Sequence, residues 1–177
     1  ILPSTWVLRI KWFPDGCIQK HKARFCVRGD KQIEGKDYTD KYSPVVSWLM
    51  VHLLLCLLAS KGLASHQVDF SNTFIQSELA AGEEIYVDVP HGFADPLTEP
   101  KVLKLHWSLY GLVQAPLYWG SHLNVALEKE GLKQSMNDPC MFVGDSMIAL
   151  TYINDILFFG HNQANINTKI KSLQQKG

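Results

Sequence analysis

The sequence predicts an α+β fold in which a small antiparallel or mixed sheet packs on helices. Several short runs of extended, apolar-rich residues end at Gly, Pro, Asn or Asp, as strands do. Longer stretches with helix-capping residues lie between these runs. The order along the chain is hairpin, helix, strands, helix, hairpin and helix, which favours one small sheet covered by helices.

Size and charge are compatible with a folded protein that handles phosphates and cations. The 177 residues are 46% hydrophobic, enough for a sizeable core. The net charge is zero, yet residues 1–50 carry nine Lys or Arg against five Asp or Glu, and residues 51–100 carry one against seven. A basic first part and an acidic middle suit phosphate and divalent-cation binding, although random sorting of surface charge would often look the same.

Composition also argues against membrane, zinc and disulfide classes. The most apolar run, Trp48–Ala59, is shorter than the about 20 residues of a membrane helix, and we expect it to be a buried helix. The four cysteines lack zinc-site spacing and are expected to be free thiols of an intracellular protein, in a cytoplasmic particle or the nucleus. Residues 1–10 lack a signal-peptide pattern. The start without Met and the polar helical pattern at the end lead us to expect a fragment.

The first element is predicted to be a basic hairpin. A Pro-Asp-Gly turn at residues 14–16 reverses the chain, because Pro presets one dihedral and Gly accepts a positive one. The period of two places Lys20, Lys22 and Arg24 on one face of the second strand, with Arg28 in phase beyond it. This face could bind phosphates, or it could be an exposed sheet edge protected by charge.

Three helices follow from capping residues and spacing. Ser47 can cap the first helix and Gly62 can end it. Pro116 fits the first turn of the second, which ends near Gly131. The second helix has one apolar side, formed by Trp119, Leu123 and Leu127. Residues 162–176 are predicted to be the start of the third.

Acidic residues lie at the ends of two predicted strands. One short strand ends at Asp69, and a hairpin over residues 151–160 has Asn154 and Asp155 at its tip. If these strands pair side by side, the three side chains meet at one edge, and the carboxylates repel unless a cation lies between them. Hard oxygen ligands select Mg²⁺ or Mn²⁺, and two such ions support in-line phosphoryl transfer. The simpler alternative is that Asn-Asp merely makes a good turn.

Six segments, in order, resemble the reverse transcriptase of copia-type LTR retrotransposons. They are KARFCVRGDKQIEGKDYTDKYSPVV, HQVDFSNTFIQSEL, EEIYVDVPHGF, KLHWSLYGLVQAPLYW, DPCMF and TYINDILFFG. The resemblance extends from about Trp6 to about Gly160. It implies an RNA-directed and DNA-directed DNA polymerase that extends a primer on an RNA or DNA template, using deoxynucleoside triphosphates and two Mg²⁺ or Mn²⁺ ions.

The resemblance also implies a fingers-and-palm architecture. Residues 1–65 are expected to be mainly fingers, including the basic hairpin, and residues 66–160 mainly palm with some fingers. Residues 161–177 would be a truncated C-terminal helix. The thumb, ribonuclease H and integrase regions of such a polyprotein are expected to be absent, the rest of the polyprotein is a candidate partner, and no membrane partner is expected.

Site residues follow from the same resemblance. Asp69 matches the first catalytic carboxylate, and Tyr152 and Asp155 match the first and last residues of the family's Tyr-x-Asp-Asp turn. The residues expected to face the metals are Asp69, Asn154 and Asp155. The incoming triphosphate is expected to meet the cations Lys22, Arg24 and Arg28. The nucleotide and template base are expected to be braced by Tyr110, Gly111 and Gln114. Phe74 matches the aromatic residue that crowds the sugar 2′ carbon, with core packing as the alternative.

One departure predicts an impaired enzyme. Asn154 stands where the family turn has its first Asp, and an amide oxygen is only a weak, uncharged ligand. Loss of one charge is worth about 4 kcal/mol at about 4 Å and an effective dielectric of about 20, which is on the order of three decades in rate. Gly120, early in a helix, adds a propensity cost of about 1 kcal/mol. The alternative hypothesis is a catalytically silent nucleic-acid-binding or structural remnant of a retroelement.

Overall fold

A computed structural model of the chain describes residues 1–93 and 101–175. Its helices are α1 (Trp48–Lys61), α2 (Ala115–Lys129) and α3 (Gln163–Gln175). Its strands are β1 (Ser4–Trp12), β2 (Ile18–Val27), β3 (Ala64–Asp69), β4 (Tyr86–Asp88), β5 (Val102–Lys104), β6 (Lys133–Gln134), β7 (Met141–Val143), β8 (Met147–Tyr152) and β9 (Asp155–Gly160). The predicted mixture of helices and small antiparallel sheets is confirmed; the last residue of the predicted third helix, 176, lies outside the described residues.

The chain divides into two compact units. The first comprises Ile1–Lys41 and Phe74–Tyr118, and the second comprises Tyr42–Thr73 and Trp119–Gly177. Each unit is therefore built from two separate stretches of chain. In each, the core forms only when residues distant in sequence meet.

The first unit contains the predicted hairpin. Strands β1 and β2 pair antiparallel from Ser4 opposite Val27 to Trp12 opposite Ile18, and Gly16 takes the positive φ of 86° that the turn requires. Alternation along β2 puts its three basic residues on one face, as predicted. A second antiparallel pair joins β4 to β5. The core of the unit is formed by Leu2, Val27, Ile85, Val87, Leu112 and Ala115.

The second unit is built on a five-stranded antiparallel sheet. Its strand order is β3-β9-β8-β7-β6, so the β8-β9 hairpin lies beside the strand that carries Asp69. Helix α1 packs on one sheet face through Leu54, which contacts Leu150 and Phe159. Since Phe159 and Asp155 are four residues apart on one strand, the acidic end of β9 shares this face. Strand β6 was not predicted, because two residues carry no readable alternation.

Helix α1 corrects one prediction. Its caps are as expected, with Ser47 Oγ accepting a hydrogen bond from the Met50 amide at 3.2 Å and Gly62 at φ 59°. The expected burial was wrong: Leu54 is buried, but Trp48 and Leu49 are 77% and 79% exposed. A helix that is apolar on every side can cover a single sheet with only one of those sides. Among the described residues, no helix combines the length and apolar character needed to span a bilayer.

Helix α2 follows its prediction closely. Trp119, Leu123 and Leu127 are all buried on one side of the helix. After the helix, Gly131 adopts a φ of 80° and donates its backbone N–H to the Glu128 carbonyl at 2.9 Å. The local signals of helix end and apolar side were therefore sufficient here.

Candidate active site

Asp69 and Asp155 lie directly opposite each other in the sheet of the second unit. The antiparallel register of β3 and β9 runs from Ala64 opposite Gly160 to Asp69 opposite Asp155. Directly opposed residues in such a pair have Cα atoms about 4.5–5.5 Å apart and project to the same face. The predicted convergence is thus present in the fold. The predicted tip was wrong by one residue: the turn is formed by residues 153 and 154, and Asp155 pairs with Tyr152 as the first residue of β9.

Asn154 closes this group through a short hydrogen bond. Its Nδ2 donates to Asp69 Oδ1 at 2.5 Å. A carboxylate can only accept, so the amide must present its nitrogen to Asp69. The second carboxylate also has a donor, because Gln67 Nε2 lies 3.1 Å from Asp155 Oδ1. Both carboxylates therefore hold a neutral amide partner within the protein.

The donor set fits a divalent cation only in part. Asp69 and Asp155 offer the hard oxygen ligands that Mg²⁺ and Mn²⁺ prefer. Residue 154 instead directs a nitrogen donor at Asp69, where a third carboxylate would supply charge. Within residues 1–93 and 101–175, no group of three His, Cys, Asp or Glu side chains is arranged to hold a metal ion. Because residue 154 is an amide, the carboxylates of this group are those of Asp69 and Asp155.

The turn that carries Asn154 has an unusual backbone. Ile153 has a φ of 54°, although it is β-branched. Such a conformation costs on the order of 1–3 kcal/mol and persists only where neighbouring groups enforce it. Two donors do so: Trp119 Nε1 binds the Ile153 carbonyl at 2.7 Å, and the Phe70 amide binds the Asn154 carbonyl at 2.9 Å.

Sequence reasoning missed the parts played by Trp119 and Gln67. The Trp was predicted only as part of an apolar helix side, where its ring indeed lies. A buried indole N–H usually has an acceptor, which was the available signal, but the acceptor itself could not be named. Gln67 precedes Asp69 by two residues, so strand alternation places both on one face.

Tyr152, the first residue of the turn, is 49% exposed beside a cleft of about 580 Å³. Both Tyr152 and Asp155 line this cleft, together with Gln67. Its remaining wall is mainly apolar and is formed by Val45, Val46, Ser47, Trp48, Val51, Leu150 and Leu157. Asp155, one of the two opposed carboxylates, thus borders an apolar cleft of the second unit.

In the first unit, three of the predicted substrate contacts come together. The guanidinium carbon of Arg24 lies 5.4 Å from the ring centroid of Tyr110, a cation–π distance. Phe74 meets the same ring edge-on, with centroids 5.4 Å apart. Phe74 and Tyr110 are both half-buried, and Phe74 packs against the unit's core. The core-packing alternative for Phe74 therefore has structural support, and a sugar contact stays a prediction.

Gly111 lets the bend after Tyr110 approach β2 closely. Its φ is 92°, and a Cβ there would lie 2.0 Å from the carbonyl oxygen of Val27. The Val27 amide donates to the Tyr110 carbonyl at 2.8 Å, which fixes the approach. Gly29 meets the Gly111 carbonyl equally closely, with a 2.0 Å distance for an added Cβ. Backbone packing is sufficient to require a glycine at residue 111, and its contact with the nucleotide or template base stays a prediction.

Gln114 is 1% exposed, and both the oxygen and the nitrogen of its side-chain amide form hydrogen bonds. Its Oε1 accepts from Gln32 Nε2 at 3.0 Å, and its Nε2 donates to Glu83 Oε1 at 2.8 Å. Tyr118 donates its hydroxyl to Glu83, and burial together with this carboxylate raises the pKa of Tyr118. Gln32 and Glu83 were not predicted. A contact of Gln114 with substrate stays a prediction.

The remaining predicted cations lie along or just beyond β2. Lys22 is half-buried and opposite Arg9 in the hairpin register. Arg28 follows the end of β2 and forms a bidentate pair with Asp30, with both N–O distances at 2.7 Å. This carboxylate raises the pKa of Arg28, which stays cationic. A phosphate that bound Arg28 would have to compete with Asp30.

Comparison with known proteins identifies the family. A model of the reverse transcriptase (RNA-dependent DNA polymerase) family matches residues 1–176. The chain belongs to this family.

The relatives confirm the predicted copia-type resemblance. The chain is 31% identical over 180 residues to the retrovirus-related Pol polyprotein from transposon RE1 of Arabidopsis thaliana, covering 99% of the chain and 12% of that polyprotein. It is 32% identical over 170 residues to the Pol polyprotein from transposon TNT 1-94 of Nicotiana tabacum, covering 93% of the chain and 13% of the relative. The Ty1-H Gag-Pol polyprotein of Saccharomyces cerevisiae is 28% identical over 163 residues, covering 88% and 8%. The chain thus spans about an eighth of the plant relatives.

Proposed function

We propose that the chain is the fingers-and-palm core of an RNA-directed DNA polymerase from a copia-type retroelement, able to copy DNA as well as RNA, and impaired at residue 154. The observation that carries this proposal is the register of β3 and β9, which sets Asp69 opposite Asp155 with Asn154 bonded to Asp69. Two carboxylates at one sheet edge are an arrangement that metal-dependent nucleotidyl transfer can use.

Asp69 and Asp155 would hold the divalent ions, Mg²⁺ or Mn²⁺, with Asn154 as a weak third ligand. Such ions, when bound, would make the primer hydroxyl a stronger nucleophile and would neutralise charge on the departing pyrophosphate. The side chain of residue 154 would have to turn its oxygen outward, because its nitrogen now faces Asp69. That rearrangement, together with the lost charge, is the proposed cause of impairment.

Substrate contacts are proposed for residues of the first unit. The guanidinium carbon of Arg24 lies 5.4 Å from the Tyr110 ring centroid, and the planar guanidinium would bind a phosphate through two N–H donors. Lys22, on the same hairpin face, and Arg28 would add charge. Phe74 would limit the space at the sugar, and the bend of Tyr110 to Gln114 would brace the base. The proposed ligands are deoxynucleoside triphosphates and a primed RNA or DNA template.

The proposed division into fingers over residues 1–65, palm over 66–160 and a C-terminal helix differs in its boundaries from the compact units. Those units interleave along the chain, since each takes residues from two stretches. We propose that the hairpin residues serve the fingers and that the five-stranded sheet serves the palm. The remainder of a Pol polyprotein is the proposed protein partner, and an intracellular particle or the nucleus is the proposed location.

A second candidate is a nucleic-acid-binding remnant without catalysis. The Asn154–Asp69 hydrogen bond favours it, because this bond satisfies a carboxylate oxygen that metal binding would need. In this hypothesis the basic face of β2 still binds phosphates, while the acidic edge serves only the fold. Both candidates bind nucleic acid, but only the first catalyses DNA synthesis.

Primer extension with Mn²⁺ separates them. We expect the chain itself to extend a primer at least about 10³-fold more slowly than Asn154→Asp, and the matched double variant Asn154→Asp, Asp69→Asn to be inactive. If Asn154→Asp neither extends a primer nor binds Mn²⁺, the damaged-polymerase proposal fails and the remnant stands. Template affinity should fall steeply between about 50 and 200 mM salt; a flat salt dependence would reject both candidates.

A further inference from the structure

The indole of Trp119 lies under the turn that carries Asn154 and Asp155. Trp119 comes from α2, is 3% exposed, and donates Nε1–H to the Ile153 carbonyl at 2.7 Å. Leaving the buried indole N–H without an acceptor would cost free energy. The bond therefore stabilises the position of the helix as well as that of the turn. The tip of the β8-β9 hairpin is thereby attached to a helix outside the sheet.

The neighbours of this bond bear on the acidic residues. The rings of Trp119 and Phe70 have centroids 6.0 Å apart, and Phe70 directly follows Asp69. The Phe70 amide donates to the Asn154 carbonyl at 2.9 Å. Successive carbonyls of the turn, those of Ile153 and Asn154, are therefore both held, one by the Trp119 indole and one by the residue after Asp69.

This restraint matters because the turn is strained. Ile153 has a φ of 54°, and a β-branched residue released from external contacts would leave that region. Relaxation of Ile153 would rotate the peptide planes on either side of it. The side chains of residues 154 and 155 would then move away from Asp69, although the strands themselves could stay paired.

We propose that Trp119 is a positioning residue of the reverse transcriptase site: its indole N–H holds the strained Ile153 turn so that residues 154 and 155 face Asp69. The proposal rests on the proposed metal-dependent function for its catalytic meaning. Trp119 touches neither substrate nor metal in this role. It acts through the backbone of the turn. Its effect can therefore be measured separately from nucleotide binding.

Trp119→Phe tests the restraint, because it keeps a buried ring and removes the donor. The matched control is Trp107→Phe, an exposed Trp of the first unit. We expect hydrogen exchange at the Phe70 and Asp155 amides to accelerate at least about 10-fold in Trp119→Phe, with the β7 amides and the control unchanged. Unchanged exchange at the turn would overturn the restraint, whether or not the chain polymerises DNA.

An independent measurement needs no substitution at Trp119. In the unsubstituted chain, its indole proton should exchange with solvent far more slowly than that of Trp107. Equal exchange rates would overturn the proposal even if Trp119→Phe failed to fold.

Metal binding tests the positioning role itself. In the Asn154→Asp background, Trp119→Phe should weaken Mn²⁺ binding about 10-fold or more while Trp107→Phe does not change it. Equal Mn²⁺ affinity with and without Trp119→Phe would refute the positioning role while leaving the proposed function intact. If Asn154→Asp itself binds no Mn²⁺, the proposed function fails, and the role of Trp119 in catalysis fails with it. The hydrogen-exchange data then test only whether Trp119 restrains the turn.

Discussion

The Asn154 amide donates a 2.5 Å hydrogen bond to the carboxylate of Asp69, across two strands whose register also sets Asp69 opposite Asp155. With an amide at residue 154, the contact joins one charged group to a neutral one, where an Asp would place two carboxylates side by side. Two carboxylates at that distance would repel each other and would need a cation between them. An amide at residue 154 adds no negative charge beside Asp69, and under the proposed function it lowers the affinity of these residues for a metal ion.

Gly111→Ala should destabilise the first unit strongly. The added Cβ would lie 2.0 Å from the Val27 carbonyl oxygen, and the φ of 92° is itself unfavourable for alanine. We expect a loss of about 3 kcal/mol or more in the free energy of unfolding, measured by denaturant titration. Gly82→Ala is the matched control: it also has positive φ, 84°, but nothing within 4 Å of the added Cβ, so it should lose only about 1–2 kcal/mol. Equal losses would show that sterics at Val27 are unimportant.

Gly120→Ala should stabilise the protein. Gly120 lies inside α2, and an added Cβ would meet only Ser43 Oγ, at an ordinary 3.5 Å contact. The gain expected from helix propensity is about 0.5–1 kcal/mol, seen as a higher denaturant midpoint with an unchanged slope. A lower denaturant midpoint in Gly120→Ala would contradict the expectation that helix propensity decides the effect of this substitution.

Stability should fall at alkaline pH in a way that depends on Cys140. Burial, with a smaller contribution from Asp138, raises the pKa of the Cys140 thiol from 9.0 to about 11. Above pH 9 the unfolded chain loses this proton while the folded chain retains it, so the contribution of Cys140 to folding stability is constant below about pH 9 and decreases toward pH 11. Tyr118, whose pKa is also raised, contributes only above pH 10.

Denaturant midpoints between pH 8 and 10 measure this effect. The variant Cys140→Ala should be less stable overall and should show a smaller decline between pH 9 and 10; the remainder is expected from Cys26, whose pKa burial also raises. Cys17 and Cys56 are exposed and should react with a thiol reagent at pH 8 well before the buried Cys26 and Cys140. A decline of unchanged size in Cys140→Ala would show that Cys140 does not contribute to the pH dependence.

Local sequence signals predicted much of the fold. The caps Ser47 and Gly62, the turn at residues 14–16 and the apolar side of α2 each depend on neighbours close in sequence, and each was confirmed. The convergence of Asp69 with Asp155 was expected on the condition that their strands pair side by side, and the register of β3 and β9 meets that condition. Such features follow from backbone chemistry and from the period of the strand or helix.

What the sequence did not predict depends on partners distant in the chain. Asn154 was expected to offer its oxygen to a metal, whereas its orientation is decided by Asp69, 85 residues away. The acceptor of Trp119 and the partners of Gln114 are likewise chosen by tertiary packing. The exposure of Trp48 and Leu49 was missed because hydrophobicity does not state which side of a helix meets the sheet.

The most direct test of the central claim is the melting temperature of Asn154→Asp with and without Mn²⁺. Without metal, the new carboxylate beside Asp69 should lower the melting temperature below that of the unsubstituted chain. At Mn²⁺ about 100-fold above its dissociation constant, binding should add about 2.7 kcal/mol, or roughly 5–10 °C, and the double variant Asn154→Asp, Asp69→Asn should gain far less. A melting temperature of Asn154→Asp that Mn²⁺ leaves unchanged, or raises equally in the double variant, would contradict a metal site formed by residues 69, 154 and 155.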